Sequence, residues 1–447
     1  MSASPGPGHP TPPSTRFRRN NGIGLFLVLC LVAAIVAIMR PRSKTESEPP
    51  ATEQSAPIES EPSPAPEKRP ETDPVQNVGA VDTNSPEAQL VAQLLNPFVP
   101  LKTRRQAARA LAKVGSDTSM SALRTALQDG PPYLKAAIGE GLGESPHREA
   151  REVLMDLING TDETAARGAV RGLAMKGDVQ AAEVLSNILF NDKKPESVRT
   201  EAALALGEVQ QPAALSALIR ATAEIQDPAI IEQVLEGLGR RPFTETEPFF
   251  REYLDSPGLS AESKVAALEA LGNTTGDIAS LALKYTSDSD PDIRAAAAWA
   301  LSATETHSDI APQLLDLLKG ETVPEVRAKL YEALGGQENL NSLAVLTEVQ
   351  KETDATARQA GLGILAELCH SAPTAELLAY FKQTAVPELE NRALTGTDLQ
   401  QRLDSVMSLR RAGIPESLTA LQQIVQQSTE RKIVDAAQAA LRVNAKK

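Results

Sequence analysis

The chain of 447 residues has few aromatic side chains and few cysteines. Aromatic residues make up only 3% of it, whereas Ala, Leu, Glu, Gln and Arg, which enter helices at little cost in free energy, are abundant. Cys30 and Cys369 are the two cysteines, and Cys30 falls within a hydrophobic run, which argues against a structural disulfide. The composition therefore predicts an all-α protein.

Sequence signatures of catalysis and metal binding are also missing. The chain has no P-loop and no G-x-S-x-G, C-x-x-C or G-x-G-x-x-G motif. It has no His-Glu dipeptide, and no two of its four histidines are three or four residues apart, as a metal site on a helix would need. We therefore predict no enzymatic activity, no cofactor, no metal site and no catalytic residues.

The formal net charge of -13 is distributed unevenly. Residues 1–44 carry six basic and no acidic side chains, whereas residues 45–85 carry nine acidic and two basic ones. This leaves roughly -12 for the remainder. Since phosphate binding needs a surplus of Lys and Arg, the acidic remainder argues against nucleic acid as a partner.

One long hydrophobic run, residues 23–39, reads IGLFLVLCLVAAIVAIM, and no charge occurs between Arg19 and Arg40. At about 1.5 Å per residue, this charge-free stretch covers a hydrocarbon core of about 30 Å. We therefore predict a transmembrane helix at 23–39, preceded by a basic tail at 1–22. A buried helix, a cleaved signal peptide and a lipoprotein modified at Cys30 are the alternatives, although no A-x-A site follows the run cleanly.

The segment after the hydrophobic run, residues 40–85, is dominated by Pro, Glu, Ser and Thr, which predicts a disordered linker. Basic residues flank the run almost equally, so their distribution barely discriminates between the two orientations. Because a short basic tail usually stays in the cytoplasm, we expect a single-pass membrane protein whose large domain lies on the extracytoplasmic side.

Residues 86–447 contain a repeat of 30 to 33 residues. We call its nine equivalent positions anchors: Arg104, Lys135, Ala166, Arg199, Ile231, Lys264, Arg294, Arg327 and Arg358. Seven residues after each anchor stands a leucine: Leu111, Leu142, Leu173, Leu206, Leu238, Leu271, Leu301, Leu334 and Leu365. The residue before the leucine is Ala or Gly in eight of the nine repeats. Such a pair predicts helices that approach closely, with the leucine filling the groove between them.

The ends of the repeated helices also have sequence signals. Asp227 before Pro228 and Asp290 before Pro291 predict an N-cap followed by proline at the first helical position. Glycines that follow the repeated leucine are expected at left-handed C-terminal turns: Gly143, Gly207, Gly239, Gly272 and Gly335. A second amphipathic helix completes each period, for example at 119–130 and 213–225.

Two helices per period, each with one apolar face, bury those faces only by stacking on the neighbouring repeats. The pattern resembles HEAT repeats, in the short form found in the lyase-like family associated with phycobilisome pigments, over about 360 residues. This resemblance implies a right-handed α-α superhelix of the HEAT/ARM type, with a protein or peptide partner on a concave face lined by the second helix of each pair. It also implies that the anchor arginines form a structural ladder: Arg199, Arg294, Arg327 and Arg358.

Some positions depart from the pattern or allow two interpretations. The unit that begins at residue 386 has Thr397 where a leucine is expected, and the register resumes with Leu409 and Leu441. We therefore predict a distinct C-terminal cap made of the last three helices. Trp299, the single tryptophan, stands five residues after its anchor and is either a residue packed between repeats or an exposed binding hot spot.

These observations predict a membrane-anchored protein–protein interaction scaffold built on a HEAT-repeat solenoid at 86–447. A lyase-like or chaperone activity on a bound chromophore or client protein is the alternative, and a structural spacer is a third possibility. Neither the oligomeric state nor the identity of the partner is indicated by the sequence.

Overall fold

The structure, a computed structural model, describes residues 85–303, 309–337 and 339–444. These residues form α-helices and one π-helical turn, and they contain no β-strand beyond an isolated bridge between Pro242 and Thr275. The prediction of an all-α protein is confirmed. The predicted tail, span and linker up to residue 84 lie outside the described residues.

The localisation predicted from the sequence needs correction. None of the helices in the described ranges is long and apolar enough to cross a membrane. The longest uninterrupted α-helix among them, Ala355–Ser371, has 17 residues, fewer than the roughly 20 apolar residues that a span requires. The hydrophobic run at 23–39, on which the prediction of a single-pass membrane protein depended, is not among the described residues.

The helices alternate between two sets along the chain. The first set contains the repeated anchor positions, and we call its members anchor helices: α2 (Leu101–Val114), α4 (Pro132–Leu142), α6 (Glu163–Lys176), α8 (Glu196–Glu208), α10 (Pro228–Gly239), α12 (Ala261–Gly272), α14 (Pro291–Ala303), α16 (Pro324–Gly335), α18 (Ala355–Ser371), α21 (Leu399–Ala412) and α23 (Arg431–Asn444). The other set, the second helices, comprises α1 (Pro86–Leu95), α3 (Asp117–Asp129), α5 (Ala150–Asn159), α7 (Val179–Phe190), α9 (Pro212–Glu224), α11 (Phe243–Leu254), α13 (Ala279–Tyr285), α15 (Ala311–Gly320), α17 (Ser342–Lys351), α19 (Ala375–Tyr380), α20 (Val386–Thr395) and α22 (Pro415–Gln427).

Each anchor helix packs directly against the next anchor helix along the chain, so the anchor helices form one continuous layer. All nine leucines of the repeat are buried. One hydrophobic core runs from α1 to α23, and every repeat adds a segment to it. The predicted solenoid is therefore confirmed.

The glycines that follow the repeated leucines do not form left-handed turns, and that prediction is wrong. Positive φ angles near 60° occur instead at Gly115, Gly177 and Gly413, just beyond the ends of α2, α6 and α21. Gly207 lies so close to α10 that a Cβ atom placed on it would be 2.8 Å from the Cα atom of Gly237. Glycine is needed at four of the five positions because the backbones of successive anchor helices touch there; at Gly335 the close atom is Cδ1 of Ile364.

The predicted N-caps are confirmed. Asp227 Oδ1 accepts a hydrogen bond from the N–H of Ala229 at 3.0 Å, and Asp290 Oδ1 accepts one from the N–H of Asp292 at 2.9 Å. Each cap satisfies a donor in the first turn of an anchor helix that has no intrahelical acceptor.

The irregular unit at residue 386 belongs to the second helices and is not a broken anchor helix. A π-helical turn, Phe381–Ala385, joins α19 to α20 without a loop. Pro387 explains this turn, because a proline within a continuing helix has no N–H and clashes with the carbonyl four residues earlier. The next anchor helix, α21, packs against α18 in the usual way, so the last three helices continue the layer and do not form a separate cap.

Candidate functional site

The anchor arginines lie at one edge of the solenoid, where a second helix ends and the next anchor helix begins. Arg104 Nε donates to the Leu94 carbonyl and Arg199 Nε to the Leu189 carbonyl, both at 2.9 Å. Arg402, seven residues before Leu409, holds the anchor position of α21, and its Nε donates to the Ala393 carbonyl at 2.8 Å. Carbonyls in the last turn of a helix have no intrahelical donor, and a cation there also interacts favourably with the helix dipole. The arginines therefore hold consecutive helices together.

In the C-terminal half, the same edge carries a ladder of ion pairs between repeats. Arg294 Nε donates to Glu321 at 2.7 Å, Arg327 Nε to Glu352 at 2.8 Å and Arg358 Nε to Glu388 at 2.8 Å. Arg327 also donates to the carbonyls of Leu318 and Glu321, and Arg358 to those of Val349 and Glu352. These arginines are fully engaged within the solenoid, as the resemblance implied, and leave no free donor set for a ligand.

One carboxylate of this ladder, Glu321, is stabilised in its charged form. Burial raises the pKa of Glu321, but hydrogen bonds from Arg294 and from the N–H groups of Val323 and Thr322 outweigh it, so the net shift of the pKa is downward. A groove of about 680 Å³ lies beside this pair, between α13 and α16. Its charged lining consists of Asp288, Asp316 and the paired Arg294 and Glu321. The described residues contain no cluster of three His, Cys, Asp or Glu side chains that could hold a metal ion.

A different surface is formed by the opposite side of the anchor helices. At about 100° per residue, positions one, five and nine residues after the anchor share one face, turned away from the buried leucine. We call this surface the anchor face. The positions five residues after each anchor, taken from α2 to α21, form a row along it: Arg109, Glu140, Arg171, Leu204, Glu236, Glu269, Trp299, Glu332, Gly363 and Met407.

The N-terminal part of the anchor face is held by ion pairs between neighbouring repeats. Arg109 pairs with Glu140 at 2.9 Å, and Arg171 pairs with Glu201 at 2.8 Å. Arg240 pairs with Glu208 at 2.7 Å. Glu140 and Glu208 therefore link adjacent anchor helices, although exposed pairs of this kind contribute little to stability.

The middle of the anchor face differs, because two carboxylates face each other there. Burial raises the pKa of Glu269, and the negative charge of Glu232 on the preceding anchor helix raises it further. Neither side chain has an ion-pair partner among the described residues. No sequence motif marks this pair; its signal in the sequence is the position of each residue, one and five residues after its anchor.

Trp299 lies beside this pair, on α14. Its ring packs against the hydrophobic core and over α12, where a Cβ atom on Gly272 would be 2.8 Å from Cζ3 of the indole. Gly272 and Glu269 are three residues apart and so lie on the same side of α12. The indole is packed between repeats, as one interpretation of the sequence held, and it is also partly exposed on the anchor face.

Comparison with known proteins agrees with this architecture. The family model for HEAT repeats matches residues 88–168, 151–239, 247–335 and 278–366, which together make up more than half of the chain. The chain therefore belongs to the HEAT-repeat family. No curated protein matches it.

Several solved structures are similar over most of the chain. An engineered protein is 19% identical over 81% of this chain and 99% of its own, with a TM-score of 0.28. Human deoxyhypusine hydroxylase in complex with glycerol is 18% identical over 81% and 96%, also with a TM-score of 0.28. Kap121p bound to Ste12p is 12% identical over 79% of this chain and 45% of its own, with a TM-score of 0.48. These similarities carry no conclusion about activity or partner.

Proposed function

We propose that this chain is a protein-interaction scaffold whose anchor face binds an extended segment of another protein, and that it acts by binding and not by catalysis. One observation carries the proposal: the positions five residues after each anchor lie on one side of ten successive anchor helices, and all of them except the buried Gly363 are at least partly exposed. An extended polypeptide fits such a row. Neighbouring helices are about 8–10 Å apart, and three residues of an extended chain, at about 3.3 Å each, span about the same distance.

The anchor layer is also the side on which a partner would be enclosed. Successive anchor helices touch through their backbones, as at Gly207 and Gly237, and in a curved stack the more closely spaced layer lies on the inside. This favours the anchor helices as the lining of the concave face, and not the second helices that the resemblance implied. The partner we propose is a protein and not a nucleic acid, because residues 86–447 carry a net charge of roughly -12, and phosphate binding needs a surplus of Lys and Arg.

The lyase-like or chaperone alternative requires a pocket with reactive side chains around a bound group. The groove beside Arg294 offers an ion pair that is already satisfied and two further carboxylates. No feature of the described residues favours this alternative or a purely structural spacer over the scaffold.

Site-specific photo-crosslinking in the full-length chain tests the proposed function. A photoreactive residue is placed on the anchor face, at Glu269 or Glu332, and for comparison on second helices, at the exposed Glu183 or Glu252. We expect the same protein to be captured from both anchor-face positions in the native cells and from neither control position. Capture at the control positions alone, or at no position, would contradict the proposal.

A further inference from the structure

The first connection of the described solenoid, residues 96–100 between α1 and α2, carries an exposed phenylalanine. Phe98 is 94% exposed, and Leu95 and Leu101, three residues away on either side, are exposed as well. We call these three residues the apolar knob. The other connections from a second helix to the next anchor helix, within the described ranges, contain no aromatic residue. An exposed apolar group of this kind is typical of an interaction surface.

The turn that presents Phe98 is fixed by hydrogen bonds and by prolines. The N–H of Phe98 donates to Asn96 Oδ1 at 2.9 Å, and the N–H of Val99 donates to the Asn96 carbonyl at 3.2 Å. Pro97 and Pro100 restrict two further φ angles. Because the turn is already ordered, little conformational entropy is lost when a partner buries Phe98.

A groove of about 470 Å³ lies beside the knob, between α1 and α3. Its lining includes the apolar Val91, Leu95 and Ala122. Leu95 belongs to both the knob and the groove, so the two features are adjacent in the first described repeat. Terminal repeats of a solenoid need a polar outer face for solubility, whereas this repeat exposes an apolar knob next to a partly apolar groove.

The charges beside the two features have opposite signs. Lys102, which follows the knob, is exposed and has no ion-pair partner among the described residues. Asp117 lines the groove, and its side chain is 99% exposed. The His147 ring accepts the N–H of Glu149 at Nδ1, so its Nε2 donates to Asp117 Oδ1, at 3.0 Å. The Oδ2 atom of Asp117 can therefore accept from a cation of a second molecule.

A knob and a groove in one repeat suit a twofold axis, because each copy then offers its knob to the groove of the other. We propose that this surface joins two copies of the chain in an isologous dimer, with Phe98 of each copy between α1 and α3 of the other. Lys102 of each copy then pairs with Asp117 of the other. The surface lies on second helices and a turn, so this inference does not depend on the proposed binding by the anchor face.

The size of the contact sets the expected affinity. Two buried phenylalanines remove about 300–500 Å² from water, and the leucines and two ion pairs around them add to this. Stable interfaces bury about 1,200–2,000 Å², so the contact is at the lower end of this range. We therefore expect a dimer that dissociates at micromolar concentrations.

Sedimentation velocity of the full-length chain, over about 1–100 μM, tests the inference. We expect the chain to shift from monomer to dimer across this range. Phe98→Ser should raise the dissociation constant by about tenfold or more, and it should leave the circular dichroism unchanged because Phe98 is exposed. Leu343→Ser removes an exposed apolar side chain from α17 and is the matched control, which should dimerise like the wild type.

Exchange of the two charges tests the pairing across the axis. Lys102→Glu and Asp117→Lys should each weaken the dimer by about threefold to tenfold, because each places like charges together twice. The chain that carries both substitutions has opposite charges at these positions again and should regain most of the affinity. Failure of the double variant to recover would overturn the proposed arrangement.

A photoreactive phenylalanine analogue at position 98 locates the contact. In a mixture of unlabelled and isotope-labelled full-length chains, we expect cross-links between copies, to residues 91–95 or 117–125. Cross-links within one copy only, a monomer at every concentration, or a dimer that Phe98→Ser does not weaken would overturn the inference. None of these outcomes affects the test of the anchor face, which uses other positions.

Discussion

Substitution of Gly168 by alanine tests whether successive anchor helices touch through their backbones. Gly168 lies in α6, and a Cβ atom there would be 2.5 Å from the Cα atom and 2.7 Å from the carbonyl carbon of Ala136 in α4. Ordinary van der Waals contact begins at about 3.4 Å, so the two helices must separate by about 1 Å. The obstacle is backbone, which cannot rotate away as a side chain can.

The expected magnitude follows from two opposing effects. Overpacking costs about 1–3 kcal/mol, and the rigid backbone places this site at the upper end, about 3 kcal/mol. Alanine gains about 1 kcal/mol over glycine in a helix. We therefore expect Gly168→Ala to lower the free energy of unfolding by about 2 kcal/mol. Gly320→Ala, at the end of α15 where no atom lies within 4 Å, is the matched control and should be neutral or slightly stabilising.

Urea unfolding of the full-length chain, followed by circular dichroism, measures the change in stability. Hydrogen exchange of peptides from α4 and α6 shows where it occurs, and peptides from α21 to α23 serve as an internal reference, because each repeat contacts only its neighbours. Faster exchange confined to α4, α6 and adjacent helices is the expected result. If Gly168→Ala behaves like Gly320→Ala in both measurements, the backbone contact between anchor helices is refuted.

Three further predictions concern the edge ladder and the buried thiol. Arg327→Lys should lower the midpoint of thermal unfolding and reduce the free energy of unfolding by about 1–3 kcal/mol, because lysine cannot reach Glu352 and two carbonyls together. Arg148→Lys, at an exposed position, is the control, and an equal shift in both variants would count against the ladder. Because the folded-state pKa of Glu321 is lowered, the stabilising effect of this carboxylate is complete above its unfolded pKa of about 4.3 and is lost as the pH falls through the folded value. Glu321→Gln should therefore be less stable than wild type at pH 7 and should lose less stability on acidification. Parallel curves of unfolding free energy against pH would argue against the pairing. Burial raises the pKa of Cys369 to about 12, so in a Cys30→Ser chain a thiol reagent at pH 8 should label Cys369 only after denaturation; rapid labelling of the native chain would contradict this burial.

The repeat, the helix pairs and the structural role of the anchor arginines could be predicted from the sequence, because each depends on a residue type that recurs in register. Leu206 is buried and Arg199 bonds to the end of α7, and both follow from local pattern and helix chemistry. The glycines were assigned to the wrong cause. A glycine after the repeated leucine can serve either a left-handed turn or a close backbone contact. Only the position of α10 shows that Gly207 serves the second.

The unit at residue 386 shows a second limit of local pattern. Val386, Pro387 and Glu388 repeat the start of α16 at Val323, yet they lie within a helix that continues from α19 through a π-helical turn. The proline that marks a helix start elsewhere is here accommodated by the turn before it. This longer helix supplies the ladder carboxylate: Glu388 accepts a hydrogen bond from Arg358, as Glu321 and Glu352 do from the anchor arginines of the preceding repeats.

The geometry of one helix separates the residues that build the solenoid from those that are free to bind. At about 100° per residue, the leucine seven residues after the anchor and the small residues beside it turn towards the next repeat, while positions one, five and nine turn to the opposite side. A substitution at the buried Leu271 must therefore change stability, whereas Glu269, two residues earlier, is exposed. Glu269 is therefore a position where a substitution tests the proposed binding with little effect on the packing of the repeats.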